Sequence, residues 1–317
     1  MRILICGATG FIGRNLVEYF ARRPEYDVHG TWHIRPRFHH ERVTWHHADL
    51  RRADDVNRLL RSMDVVVQAA ATTSGSKDIV ERPYIHVTDN AVMNSLLLRA
   101  AFEHHVRHFI FFSCAIIYAS SPDPRTEEDF DGSVDMHPRY FGAGWTKIYV
   151  EKMCQFYASL GRTKHTVIRH SNVYGPHDKF DADQSHVLAA TVAKVTAADR
   201  EVTVWGDGSE ARDLVFIDDL VSFVGLVVSR QQNQHEVLNC GSGRAIAVRA
   251  LVEAVIRASG RDLTLALDPT KPSIQTAVAL DTTKARRLLG WAPETALDDG
   301  LRRTLTWYAS RHAARSP

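Results

Sequence analysis

Three glycines, Gly7, Gly10 and Gly13, stand at three-residue spacing directly after the uncharged run Ile3-Leu4-Ile5-Cys6. That run reads as a buried strand, and the apolar residues Leu16, Val17, Phe20 and Ala21 that follow read as one face of a helix. Strand, glycine loop and helix in this order suit the holding of a dinucleotide pyrophosphate. Unpaired N–H groups and the positive end of the helix dipole meet the phosphates there. Gly7 permits the tight turn, Gly10 lets the backbone approach the phosphates, and Gly13 lets helix and strand pack closely. Thr9, Phe11, Ile12 and Arg14 are the other expected contacts of the loop and first turn. An ordinary glycine-rich turn is the plainer reading, but the position straight after a buried strand favours a cofactor.

Which dinucleotide it is depends on the tip of the second strand, where a carboxylate would accept the ribose 2′-OH of NAD. The tip here is Thr31-Trp32-His33-Ile34-Arg35, without a carboxylate. Arg14 and Arg35 are placed to meet a 2′-phosphate, so NADP is the expected cofactor and NAD the alternative. Asp49-Leu50 is the expected adenine contact, and Ala69-Ala70-Ala71 lines the dinucleotide at the end of the fourth strand.

Strand and helix signals alternate along the chain, which predicts an α/β fold with a doubly wound, Rossmann-type parallel sheet. Strands are expected at Val28–Thr31, Val43–Trp45, Val65–Ala71, His108–Ser113 and Thr166–Arg169. Helices are expected over residues 54–63, 89–102 and 144–160. After Ser171 the loops lengthen, notably over residues 174–184 and 206–212. This predicts a smaller α/β C-terminal lobe for the substrate, with short helices near 281–291 and 297–308. The dinucleotide-binding domain is therefore drawn as 1–170 plus about 213–240, and the lobe as 171–212 and 241–317.

Composition narrows the partners. A net charge of +2 over 317 residues, with no basic stripe interleaved with aromatics, argues against a nucleic-acid surface. The longest apolar runs, such as Phe109–Phe112, are too short to cross a bilayer, and no cleavable signal is recognised before the first strand. The four scattered cysteines lack CxxC spacing and read as reduced thiols of a cytoplasmic protein. The seventeen histidines include adjacent pairs at 39–40, 46–47 and 104–105 that point in different directions, so no metal site is expected.

Further motifs carry a family resemblance over nearly the whole chain. They are Arg169-His170-Ser171-Asn172-Val173-Tyr174-Gly175-Pro176-His177-Asp178-Lys179-Phe180, Ser185-His186-Val187, Val204-Trp205-Gly206-Asp207-Gly208, Arg212-Asp213 and Ile217-Asp218-Asp219-Leu220. The chain resembles the extended short-chain dehydrogenase/reductases that act on nucleotide sugars, and within them the GDP-L-fucose synthase branch. The resemblance implies a nucleotide-sugar substrate and a homodimer built on the helices near 89–102 and 144–160. It also implies that Thr72, Ser113, Asn172, Val187, Trp205 and Arg212 bind substrate, with Arg212 gripping the diphosphate. His186 matches the histidine acid of epimerisation, and Lys147 the lysine that holds the nicotinamide ribose and lowers the pKa of a catalytic tyrosine.

Two departures bear on the chemistry. The family pattern Tyr-x-x-x-Lys puts phenol and amine one helical turn apart, but four residues before Lys147 stands Ala143. The strand-end serine of the family is Cys114, and Ile116 occupies the place of the epimerisation cysteine. On an extended chain positions 114 and 116 face the same way but roughly 6–7 Å apart, so one thiol cannot replace the other. A ketone under reduction needs a proton donor, whose loss costs on the order of 10²–10⁴-fold in rate. The candidates are Tyr140, Cys114, His186 or a water fixed by Lys147; otherwise the protein does less chemistry than the family and binds NADP without turnover. A dehydratase or epimerase cycling tightly held NAD is the remaining alternative.

Overall fold

In the computed structural model, which describes residues 1–72, 82–133, 136–180, 185–271 and 275–313, alternate strand residues supply two separate apolar layers. The strands β1 (Arg2–Cys6), β2 (Asp27–Trp32), β3 (Val43–His47), β4 (Val65–Gln68), β5 (His108–Cys114), β6 (Lys164–His170) and, much later, β10 (His235–Cys240) form one sheet. All pair in parallel, in the order β3-β2-β1-β4-β5-β6-β10. Ile3, Ile5, Val65, Val67, Ile110 and Phe112 point to one face. There they meet α1 (Phe11–Ala21) and α6 (Ile217–Arg230), which also pack on each other. Leu4, Cys6, Val66, Phe109 and Phe111 point to the other, covered by α2 (Ala53–Leu60), α3 (Thr88–Glu103) and α4 (Phe141–Ser159). Such two-faced burial is what near-continuous apolar strands require.

The order reverses beside β1, so a crevice opens above the C-terminal ends of β1 and β4, where open α/β sheets take their ligands. The expected seven-residue run 65–71 is strand only to Gln68. Gln68 donates from Nε2 to Asn94 Oδ1 at 3.0 Å and accepts the Ala70 N–H at 3.2 Å, which turns the chain out of the ladder. Helix α2 is shorter than expected because Ser62 takes a left-handed φ of 68°. Helix α4 begins earlier than Gly144. A 3₁₀ turn, Pro138–Tyr140, leads into it, and Gly142 and Gly144 sit against Val87 and Met136. A Cβ on Gly144 would come within 2.2 Å of Met136 Sδ, so these glycines serve packing rather than a loop.

Past His170 the chain leaves this sheet. Strand β7 (Asn172–Tyr174) pairs with β9 (Ala211–Phe216), which is flanked by β11 (Ala245–Ala247) and β13 (Ala277–Val278). Strands β8 (Glu201–Trp205) and β12 (Thr264–Asp268) make a separate parallel pair. Around them lie α5 (Val187–Ala197), α7 (Val248–Ser259), α8 (Thr283–Leu289) and α9 (Leu297–Ala313). Residues 73–77 and 181–184 of the expected loops lie outside the described residues. Among the described residues no helix is long and apolar enough to cross a membrane.

Two histidines sit in the middle of the main sheet. His108 Nε2 accepts from the Thr166 hydroxyl at 2.8 Å, and the same hydroxyl takes a hydrogen bond from Gln231. His165 donates through Nδ1 to Thr163 O at 2.8 Å. Burial holds their imidazoles down to about 3 and about 4, so both are neutral in the folded chain, whereas unfolded histidines protonate below about 6.5. The unfolded state therefore takes up more protons between pH 6.5 and 4, and stability is full above that window and lost as pH falls through it. A melting temperature measured from pH 7.5 to 4.5 is expected to drop below pH 6.5, and His165→Gln to flatten the drop.

Candidate active site

The glycine loop is pinned from two sides. The Gly7 N–H donates to Thr31 Oγ1 at 2.9 Å and the Ala8 N–H to Thr31 O at 3.1 Å, so β2 holds the turn. Gly7 has φ +71°, and a Cβ on it would lie 2.6 Å from Ala70 Cα; one on Gly13 would lie 2.1 Å from Gly7 O. No side chain caps α1 at Gly10. The N–H groups of its first turn, at Phe11, Ile12 and Gly13, thus meet the crevice as a ready anion cradle. These features fit a dinucleotide pyrophosphate, and the tight turn at Gly7 and the close packing at Gly13 are as expected.

The arginines expected near the ribose are already engaged. Arg35 donates to Thr9 O at 3.1 Å, and Arg14 pairs with Glu18 at 3.1 Å while lying 4.3 Å from the centre of the Phe38 ring. Asp49 is clasped by Arg51 through two bonds of 2.9 Å, and that guanidinium holds its carboxyl down to about 2. Leu50 is buried beside it. Beyond Ala69, whose N–H continues the ladder to Cys6 O, and Ala71, Thr72 exchanges backbone bonds with the Asn90 amide at 2.9 and 3.0 Å. Helix α3 thereby fixes the exit of β4.

At the other end of the crevice β5 stops at Cys114 and the chain turns at once into a 3₁₀ segment, Ala115–Ile117. The extended geometry expected from 114 to 116 is therefore absent: Ile116 lines a cavity and Cys114 is outside its lining. Burial pushes the Cys114 thiol up, against the opposing pull of the Lys147 ammonium. Lys147 donates from Nζ to Phe112 O at 2.7 Å, and burial draws its own pKa down. One turn further along α4, Glu151 takes Arg169 of β6 in a buried two-pronged pair at 2.7 and 3.2 Å.

The cavity, about 250 Å³, runs from the end of β5 to β9. Ala115, Ile116 and Tyr118 form one wall, His137 and Tyr140 another, and Asn172, Arg212 and Thr276 the third. Arg212 donates from Nη1 to Ala211 O and Thr276 O, both at 2.8 Å, and Asn172 donates to Asp213 O at 3.1 Å. Asp213 next door accepts from Ser242, Gly243 and Leu280, which locks this stretch of β9 in place.

Of the residues expected to meet substrate, Asn172 and Arg212 line this cavity together with Tyr140. Ser113 is fully buried, Thr72 and Val187 lie outside the lining, and Trp205 is exposed on β8 under the Lys194 ammonium at 5.7 Å. His186 is the exposed N-cap residue of α5 and is also outside the lining. Two histidines were not singled out beforehand. His137 packs on Tyr140 with ring centres 5.8 Å apart. His170, across the β5–β6 register from Cys114, donates from Nδ1 to Ser171 O at 2.7 Å and is held near 4 by burial. The signal for His170 was its place inside the Arg169–Asn172 motif; nothing in the sequence marked His137.

Two outcomes are expected. Gly13→Ala, overpacking the turn, should cost about 1–3 kcal/mol in unfolding free energy by urea titration and at least tenfold in dinucleotide affinity. Arg169→Met leaves Glu151 buried without its partner and should cost about 3–5 kcal/mol in the same titration, more than Arg169→Met combined with Glu151→Leu.

Known proteins resemble this chain over nearly its whole length. GDP-L-fucose synthase 1 of Arabidopsis thaliana is 29% identical over 315 residues, spanning 97% of this chain and 93% of that protein. The dTDP-4-dehydro-6-deoxy-D-allose reductase of a Streptomyces species is 28% identical, over 96% of this chain and 95% of its own length. Among solved structures, the UDP-glucose 4-epimerase of Thermotoga maritima, crystallised with UDP-glucose, superposes with a TM-score of 0.86 at 26% identity, over 98% of this chain and 100% of its own. The family model for the NAD dependent epimerase/dehydratase family matches residues 3–241. With its parallel sheet, glycine turn and strand-end cavity, the chain belongs to the NAD dependent epimerase/dehydratase family.

Proposed function

We propose that this protein is an NADP-dependent nucleotide-sugar 4-ketoreductase, with or without epimerisation beside the ketone. Its substrate is a 4-keto-6-deoxyhexose carried by GDP or a related nucleotide. The observation that carries this reading is the cavity in which Arg212 and Asn172 of the smaller lobe face the strand end of β5. A planar, permanently charged guanidinium suits a diphosphate, and the sugar beyond it would lie toward Cys114 and Lys147. The names of two relatives, a fucose synthase and a 4-dehydro-6-deoxy-allose reductase, support a 4-keto-6-deoxy sugar.

A bound nicotinamide would supply the hydride. The chain's own residues do the rest. The first turn of α1 would hold the pyrophosphate, Lys147 would hold the nicotinamide ribose, and Arg35 with Arg14 would turn from Thr9 O and Glu18 to meet the 2′-phosphate. Ile116 offers no thiol for proton transfer, and His186 stands outside the cavity lining. Both features favour reduction, or a single epimerisation, over a double one. The dinucleotide domain is assigned to 1–170 plus about 213–240, and the sugar lobe to 171–212 and 241–317. A cytoplasmic homodimer through α3 and α4 accounts for the exposure of Val92, Tyr149 and Phe156.

Ala143 in place of the usual phenol favours one other reading, a protein that binds NADP and a sugar nucleotide without turnover. Oxidation of NADPH and of NADH, followed at 340 nm with 4-keto-6-deoxyhexoses on GDP, dTDP, CDP and UDP, separates the two. Turnover that prefers NADPH is expected; binding without turnover would favour the second reading, and neither binding nor turnover would sink both. Arg35→Ala should raise the KM for NADPH about tenfold, as loss of a charge-assisted bond of about 1.5 kcal/mol implies, and leave that for NADH unchanged.

A further inference from the structure

The missing phenol leaves a question that the helix itself answers. Tyr140, Ala143, Lys147 and Glu151 follow one another at spacings of three, four and four, which is one face of an α-helix. Tyr140 is the N-cap of α4 and already has helical backbone angles, φ −101° and ψ 0°, so its side chain continues that face one turn upstream. It lines the cavity with Arg212 and Asn172. The titratable groups that act on the phenol are Arg212 and Glu210 from the β9 side, Cys114 from the end of β5, and Arg139 of its own turn. Cys114 is in turn the neighbour of Lys147. The strand-end thiol thus acts electrostatically on both the phenol and the amine.

We propose that the Tyr140 phenol occupies the proton-donor place that Ala143 leaves empty, and protonates the C4 oxygen of the sugar. The assignment rests on the ketoreductase reading above. The step balances with one hydride, which a bound reduced dinucleotide would supply to C4, and one proton. The C=O π pair moves onto oxygen, a new O–H bond forms there as the phenolic O–H breaks, and the phenolate beside Arg212 regains its proton from water. Helix packing makes the shift geometrically cheap: Gly142 and Gly144 let the first turn of α4 press on Val87 and Met136, which brings residue 140 over the cavity.

The test is Tyr140→Phe, measured for turnover with NADPH and a 4-keto-6-deoxyhexose nucleotide, and separately for GDP and NADP binding by calorimetry. Turnover is expected to fall on the order of 10²–10⁴-fold, with both affinities within about threefold of wild type. Adding Ala143→Tyr to Tyr140→Phe should restore at least tenfold of the lost rate, by returning a phenol to the same place from the usual register. Full activity in Tyr140→Phe would overturn the assignment while leaving the ketoreductase reading intact. Loss of GDP affinity in step with turnover would also overturn it, by showing a packing role only. No turnover by the wild type with any keto sugar would remove the underlying reading, and the assignment with it.

Discussion

One buried ion pair sets the height of everything at the far end of the crevice. Arg169 and Glu151 are 6% and 5% exposed, and they join β6 to α4 directly below Lys147. The pair is not isolated. Arg169 also donates to the Tyr118 hydroxyl at 2.8 Å and to Glu127 O at 2.9 Å, and Tyr118 donates to Asn239 Oδ1 at 2.9 Å. Asn239 returns a backbone N–H to Glu127 at 2.7 Å. Two strands, a helix and the segment after β5 therefore share one polar knot inside an apolar protein. A buried charge pair costs desolvation that only good geometry and further hydrogen bonds offset. The return is positional: Lys147 cannot slide along the sheet without breaking the knot.

Strand β9 uses the same device. Asp213, 1% exposed, accepts bonds from Ser242, Gly243 and Leu280 and so gathers β9, the end of β10 and the approach to α8 onto one carboxylate. Arg212 inherits its place from that neighbour and from Thr276. Glu151 and Asp213 are thus buried acids that fix a neighbouring element without lining the cavity themselves.

What could be read from the amino acids follows from how local each signal is. The first strand, glycine turn and helix were legible because short-range sterics decide them, as the 2.1 Å that a Cβ on Gly13 would leave to Gly7 O makes plain. The alternation of strands and helices was legible for the same reason. The start of α4 was not, because three small residues with two glycines read as loop, and only contact with Val87 and Met136 makes them helical. The 3₁₀ turn after Cys114 was equally hidden, since Ala-Ile-Ile carries no turn residue. Site residues set by sequence motif alone were placed unevenly for this reason: Asn172 and Arg212 line the cavity, while Trp205 and His186 are outside its lining.

The contact between Gly13 and the Gly7 carbonyl has a consequence for how such a chain can diverge. A Cβ on Gly13 would lie 2.1 Å from the Gly7 oxygen, which leaves no volume in which a mutation could explore. Ile116 and His137 line the cavity and can be redrawn residue by residue. A lineage built on this scaffold therefore inherits an immobile glycine turn and an editable cavity wall, so the shape of the cavity can drift while the turn stays as it is.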